Sequence, residues 1–467
     1  MKKELFINEV SKRIFEGKCD LFIGSGISRE SQMPSWKELL QPLAENIGIV
    51  VEDEDDLPML AQYIVNENSG NKNFIYSRIR DCCDKRYTLN RYHYVISDLN
   101  INTVWTTNYD ELLEECFQLR NPKVIRCSED LSSPIKRTEM MIIKLHGCIK
   151  GNVKDIVLTQ QEYDEYLFNK TAIAQKLRDS FIQRNFLFIG YGYRDPNIRN
   201  IMIEATRQSN NEYSQEHYII LFDVEHKENE IEESCNQRKK RFELWIKELN
   251  RIGIRELVVK NSDELLDVLT RIRVKSREKS IFVSGSHEKG NEDMYREYGR
   301  RLAKIEDIIM INGQNQGVGV NVVNGFMETA INSNKELGNI FKFFPNPYAA
   351  NPGYSNRKEL LPQLKAARAP LFLNTKLFVV FAGGMGTEAE LEVAKEKGCL
   401  ILIGIVSETD YRNALIQKMR ADEYCIKSMS KVPEYYEKIK GGEVPGVDDL
   451  VKATEALIND EESNYDQ

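Results

Sequence analysis

Residues Leu21 to Ser28 read LFIGSGIS, an apolar run that stops at Gly-Ser-Gly and a serine. A short apolar run bounded by glycine is the pattern of a buried strand ending in a tight turn. Upstream, Leu5, Phe6, Val10, Ile14 and Phe15 recur at helical spacing before Gly17, so a helix feeds the strand. The turn is expected to lead straight into a second helix, a geometry that presents backbone amides to a phosphate. A plain strand-to-helix turn accounts for the same glycines.

Similar runs recur downstream at TVWTTNYD (Thr103 to Asp110), MIIKLHG (Met141 to Gly147), NFLFIGYG (Asn185 to Gly192), HYIILFD (His217 to Asp223) and IRELVV (Ile254 to Val259). Amphipathic stretches of helical length, such as Thr171 to Gln183, separate them. Strand and helix alternation predicts an α/β fold with a mostly parallel sheet and helices on both faces. The pattern restarts after the charged segment RIRVKSREKS, where the strand IFVSGS begins at Ile281. The expected division is therefore 1–276 and 277–467, two Rossmann-like domains, since 467 residues exceed one hydrophobic core.

With 64 Lys plus Arg against 72 Asp plus Glu, the net charge is −8. That balance argues against nucleic acid or an anionic membrane as the main partner. No secretory leader and no run of eighteen apolar residues is visible, and nine cysteines without framework spacing suit a reducing compartment, so a cytoplasmic protein is expected. The cysteines offer no pair of pairs for a structural zinc, so no metal is expected.

Four segments of the first half place polar or glycine residues directly after an apolar strand: Gly24-Ser25-Gly26-Ile27-Ser28, Thr107-Asn108-Tyr109-Asp110, His146-Gly147 and Gly190-Tyr191-Gly192. The carboxyl ends of parallel strands line one crevice, so these segments can form one site. Each also has a structural reading: a turn, a hydrogen-bonded histidine, and helix caps at Asn108 and Asp110. Taken in order, GSGIS, TTNYD and KLHG resemble the sirtuin catalytic domain. The resemblance implies NAD+ as substrate, with Gly24, Ser25, Gly26 and Ser28 at the dinucleotide, Gly190 beside them, Asn108 and Asp110 at the nicotinamide ribose, and His146 as general base. It makes Asn108 and His146 the expected catalytic pair. Three departures accompany it. The paired cysteines of deacylating sirtuins are absent, RESQMPSWKELLQPL replaces the family's loop after the glycines, and GYGYRDPNI replaces a GTS-like turn.

The second half repeats the strand and glycine-turn pattern at FVSGS, at IIMINGQNQGVGVNVVNG and at LFVVFAGGMGTEAELEVA. Amides at a helix N-terminus after FAGGMGT suit phosphate, and a carboxylate one turn in suits ribose hydroxyls. In order, these motifs resemble the SLOG fold of nucleotide-activating and nucleotide-sensing domains. The resemblance implies a binding pocket from Gly285, Ser286, Gly317, Gly319, Gly384, Gly386, Thr387 and Glu390, with Arg368 as phosphate or ribose ligand and Arg357 as the alternative.

The pairing of the two modules resembles the NADase effectors of the Thoeris anti-phage defence family. It implies an NAD+ glycohydrolase gated by a cyclic ADP-ribose isomer from a TIR-domain partner, acting as a homotetramer. A non-catalytic nucleotide-binding regulator is the alternative, and a protein deacylase ranks below it because the zinc scaffold is missing.

Overall fold

The strands of the first unit are nearly continuous runs of aliphatic and aromatic residues, which is what a parallel sheet buried on both faces requires. The computed structural model describes residues 1–52, 56–83, 87–133, 139–152, 155–193, 195–208, 215–227, 230–285, 291–313, 317–344 and 361–459. They divide into two units, Met1–Ser276 and Arg277–Gln467. In the first, strands β1 (Cys19–Ile23), β2 (Thr103–Thr106), β3 (Lys123–Ile125), β4 (Met141–Lys144), β5 (Asn185–Ile189), β6 (His217–Phe222) and β7 (Ile254–Val259) form one parallel sheet in the order β3-β4-β2-β1-β5-β6-β7.

Alternation along the strands sorts side chains to the two faces. Leu21, Ile23, Val104, Ile142, Leu187 and Ile189 pack with Phe6, Val10, Leu265 and Val268 of helices Lys3–Phe15 and Ser262–Lys275. Phe22, Trp105, Ile143, Phe186 and Phe188 face Ile173, Leu177 and Ile198 of helices Thr171–Gln183 and Pro196–Gln208. Helices therefore cover both faces, as expected. A smaller apolar cluster joins helices Trp36–Glu45, Leu57–Glu67 and Asn73–Cys83 to Ile156 and Leu158.

The expected helix directly after LFIGSGIS does not form. The chain makes a four-residue 3₁₀ turn, Ser28–Ser31, then a left-handed Gln32 at φ 64°. Pro34 disfavours helical geometry at the residue before it. The helix begins only at Trp36, after Ser35 exchanges capping hydrogen bonds with Glu38.

Two histidines are fixed in this core as neutral rings. His93 accepts the Asn90 amide at Nδ1, and His217 stands edge-on to Phe181 and Phe186. Burial lowers their pKa values from 6.5 to about 4 and about 3. Above pH 6.5 both rings are neutral in the folded and unfolded chains. As pH falls, the unfolded chain takes up protons that the folded chain refuses, so stability is lost down to about pH 4 for His93 and about pH 3 for His217. Urea unfolding between pH 7 and pH 5 is expected to show a loss approaching about 1.4 kcal/mol per pH unit for each ring. A His217→Leu variant should lose one ring's share of that slope, and an unchanged slope would contradict the assignment.

In the second unit, β8 (Ser280–Ser284), β9 (Ile309–Asn312), β10 (Phe341–Phe343), β11 (Leu377–Val380) and β12 (Leu400–Ile403) form a parallel sheet in the order β10-β9-β8-β11-β12 around one apolar core. Helices Glu292–Leu302 and Val318–Asn332 cross at Gly299 and Gly325, where any Cβ would overlap the Val322 or Arg296 carbonyl. Among the described residues no helix is long and apolar enough to cross a membrane.

Candidate functional site

The chain leaves β1 for β2 on one side and later returns to β5 on the other. This crossover opens a crevice at the carboxyl ends of adjacent strands, the usual ligand position in an open α/β sheet. The glycine motifs of β1 and β5 meet there. The Gly24 amide donates to the Ile189 carbonyl at 3.0 Å and the Gly26 amide to the Gly190 carbonyl at 2.9 Å. A Cβ on Gly24 or Gly26 would collide with Gly190, and Gly190 itself holds φ +64° with Ile27 against it. Close approach of two loops therefore demands these glycines. The amides of Gly24 and Gly26 are spent inside the protein. Ser25 is the exposed residue between them.

Ser28 lies just beyond, buried, and links two side chains from the end of β2. Asn108 Nδ2 donates to Ser28 Oγ at 3.3 Å, and Ser28 Oγ donates to Asp110 Oδ2 at 3.3 Å. Because the serine proton goes to the carboxylate, the amide must offer its NH₂ to the serine and keep its carbonyl free. Among the described residues, Asn108 Oδ1 is accordingly buried with no hydrogen-bond partner. Asp110 Oδ1 accepts the Leu112 amide at 3.0 Å, so it caps the short helix Leu112–Cys116 as well. The fully buried Lys144 of β4 donates to the Asp110 carbonyl and, at 3.0 Å, to Glu114. Burial works to lower its pKa, but Glu114, Cys148 and Asp110 hold it raised, so this lysine remains a cation.

His146 stands two residues past β4 with its ring edge-on to Tyr163 and Tyr166, at centroid distances of 5.3 and 6.1 Å. Its Nε2 approaches Asp195 Oδ2 to 2.8 Å, off the ring N–H direction, so neither atom has an aligned hydrogen bond among the described residues. The buried hydroxyl of Tyr191 is unpartnered among the described residues too. Buried polar atoms are normally satisfied, and a group of orphans at strand ends marks a place for a polar ligand.

The second unit has the same crossover between β8 and β11. Ser284 Oγ donates to Glu390 Oε2 at 2.5 Å, and Arg368 Nη2 lies 3.0 Å from Glu390 Oε1. Burial pushes the Glu390 carboxyl up, against the opposing pull of Arg368 and Ser284. Arg368 and Glu390 thus face each other. Gly384 caps the helix Met385–Glu396, which carries Thr387 in its first turn, and neither Gly384 nor Gly386 has an atom within 4 Å of an added Cβ. Gly317, at φ 90°, caps the helix that buries Gly319. Gly285 is held by packing, 2.9 Å from Phe381 and 3.0 Å from Val318 for an added Cβ. Ser286 and Arg357 lie outside the described residues.

Family comparisons match this layout. The SIR2-like domain family matches residues 102–243, and the Sir2- and TIR-associating SLOG family matches 264–460. A Bacillus cereus protein named NAD(+) hydrolase ThsA is 30% identical over 334 residues, covering 70% of each chain. The chain belongs to the ThsA NAD(+) hydrolase family. Two further ThsA relatives agree: one from Enterococcus faecium is 29% identical over 85% of this chain and 86% of its own, and one from Acinetobacter baumannii is 27% identical over 94% and 95%.

In this ThsA-family chain, Asp195 is the site residue that motif reading missed. Its signal was the Asp-Pro step of RDPNI, an N-cap followed by a proline at the first helical position. Two groups of described side chains bring metal-ligand atoms together, Glu111 with Glu114 and Cys148, and His226 with Glu230 and Cys235. Positive charge already meets both: Lys144 and Arg126 in the first, and Arg238 on both Glu230 oxygens, at 2.7 Å, in the second.

Proposed function

We propose that this chain is a signal-gated NAD+ hydrolase, yielding nicotinamide and ADP-ribose, whose second unit binds a cyclic ADP-ribose-type signal. The observation that carries the reading is the Asn108, Ser28 and Asp110 relay past the end of β2, with His146 just past the end of the adjacent β4, in a family of named NAD(+) hydrolases. The nicotinamide C1′–N bond breaks with its electron pair passing to the ring nitrogen, which neutralises the leaving pyridinium. Water forms the new bond to C1′ and loses a proton. Asn108 Oδ1 orients that water or a ribose hydroxyl, Ser28 and Asp110 hold the amide in place, and His146 takes the proton.

Support for the signal comes from the Arg368 guanidinium beside the open Gly384 to Thr387 turn, which suits a phosphate. The SLOG family's description associates it with Sir2 and TIR, consistent with a TIR-domain partner as the source of signal. On this reading a homotetramer depletes cytoplasmic NAD+ during anti-phage defence.

A nucleotide-binding regulator is the second reading, favoured by the spent amides of Gly24 and Gly26. Full-length protein incubated with NAD+ separates the two. Nicotinamide release that rises when a cyclic ADP-ribose isomer is added supports hydrolysis. Intact NAD+ recovered from the protein, with no release under either condition, selects the regulator.

A further inference from the structure

We infer that Asp195 is the positioning residue for His146, holding the imidazole in one orientation and stabilising it once it has taken a proton. The inference rests on the hydrolase reading, in which His146 is the base. Asp195 sits at the foot of helix Pro196–Gln208, and its two oxygens have separate tasks. Oδ1 accepts the amides of Asn197 at 2.9 Å and Ile198 at 3.2 Å, which caps the helix and fixes the carboxylate plane. Oδ2 is left over, buried, with His146 Nε2 2.8 Å away. The same helix also holds a second neighbour of the imidazole, because Asn197 Nδ2 donates to the Tyr163 carbonyl at 2.9 Å and the Tyr163 ring stands edge-on to His146. One helix start therefore sets both the charged and the aromatic wall of the histidine.

A buried carboxylate oxygen with no aligned partner is costly to keep unless a later step uses it. Misaligned pairs of this kind tighten when substrate enters, and a small rotation of the ring aligns Nε2–H with Oδ2. Nδ1 is then the nitrogen left to accept the water proton. On this geometry the carboxylate oxygen faces the Nε2 side of the ring, where it can hold the imidazole in one orientation. Among the described residues, Tyr163 and Tyr166 are the titratable side chains whose rings pack against the imidazole. Burial, reinforced by Asp195, raises both phenols, so they stay neutral and leave Asp195 as the charge the imidazole meets.

Asp195→Asn keeps a capping oxygen and removes the charge. It is expected to lower kcat by about 10²- to 10⁴-fold, by analogy with loss of the carboxylate beside a catalytic histidine, with KM changed far less. Asp195→Ser, which still caps the helix, guards against an asparagine-specific folding defect and should give the same fall in kcat with KM changed far less. Thermal melts of both variants should stay near wild type. If either folded variant keeps kcat within about threefold, or loses kcat only in step with a lowered melting temperature, while His146→Ala is inactive, Asp195 only caps the helix and the inference is wrong. If His146→Ala is itself fully active, the hydrolase mechanism fails instead.

Discussion

Replacing Asn108 by alanine is expected to lower NAD+ cleavage by roughly 10²- to 10³-fold, the effect of deleting one positioned polar group, while the melting temperature stays level or rises. The two halves of this expectation come from one observation. Asn108 Oδ1 is buried with no partner among the described residues, which makes it an unsatisfied acceptor there. Such an atom costs about 1–3 kcal/mol in a resting structure. Alanine removes the acceptor and its penalty together, and forfeits only the long Nδ2 bond to Ser28. A residue kept for stability behaves the other way, losing stability and activity in parallel. Initial-rate kinetics and calorimetry on the same preparation distinguish the two. Full activity in a folded Asn108→Ala protein would remove the asparagine from the mechanism.

The sequence made the layers legible because parallel strands must be apolar on both faces, and runs such as NFLFI and LFVV satisfy that locally. The contact of Ser28 with Asn108 and Asp110 was reachable through topology alone, since strand ends converge whatever the separation along the chain. Pairing inside the site was not reachable. Nothing in GSGIS says that its amides are consumed by Ile189 and Gly190, because that depends on how closely two loops cross. Nor does GGMGTEAE announce that its glutamate meets an arginine from the preceding helix. Periodicity reports which face a residue takes, and hydrogen-bond partners are decided by the loops that carry no periodicity.

The pairing of Arg368 with Glu390 changes what a mutation there should do. Arg368→Ala is expected to abolish activation, bringing the ratio of NAD+ cleavage with and without a cyclic ADP-ribose isomer to about one. A signal shifts the enzyme only through its differential affinity for two states, and the guanidinium is the proposed source of that affinity. The same substitution strands Glu390, 4% exposed, without its cation. Breaking one side of a buried pair costs about 3–5 kcal/mol, so the second unit should unfold more readily, and lost activation alone would be ambiguous. Glu390→Gln added to Arg368→Ala removes the stranded charge and leaves an amide for the Ser284 hydroxyl. The double variant should recover stability without recovering activation. Should it respond to the isomer like wild type, Arg368 is a structural counter-ion and the signal binds elsewhere. Should stability return together with partial activation, the guanidinium is one of several ligands, and the open turn at Gly384 to Thr387 carries the remainder.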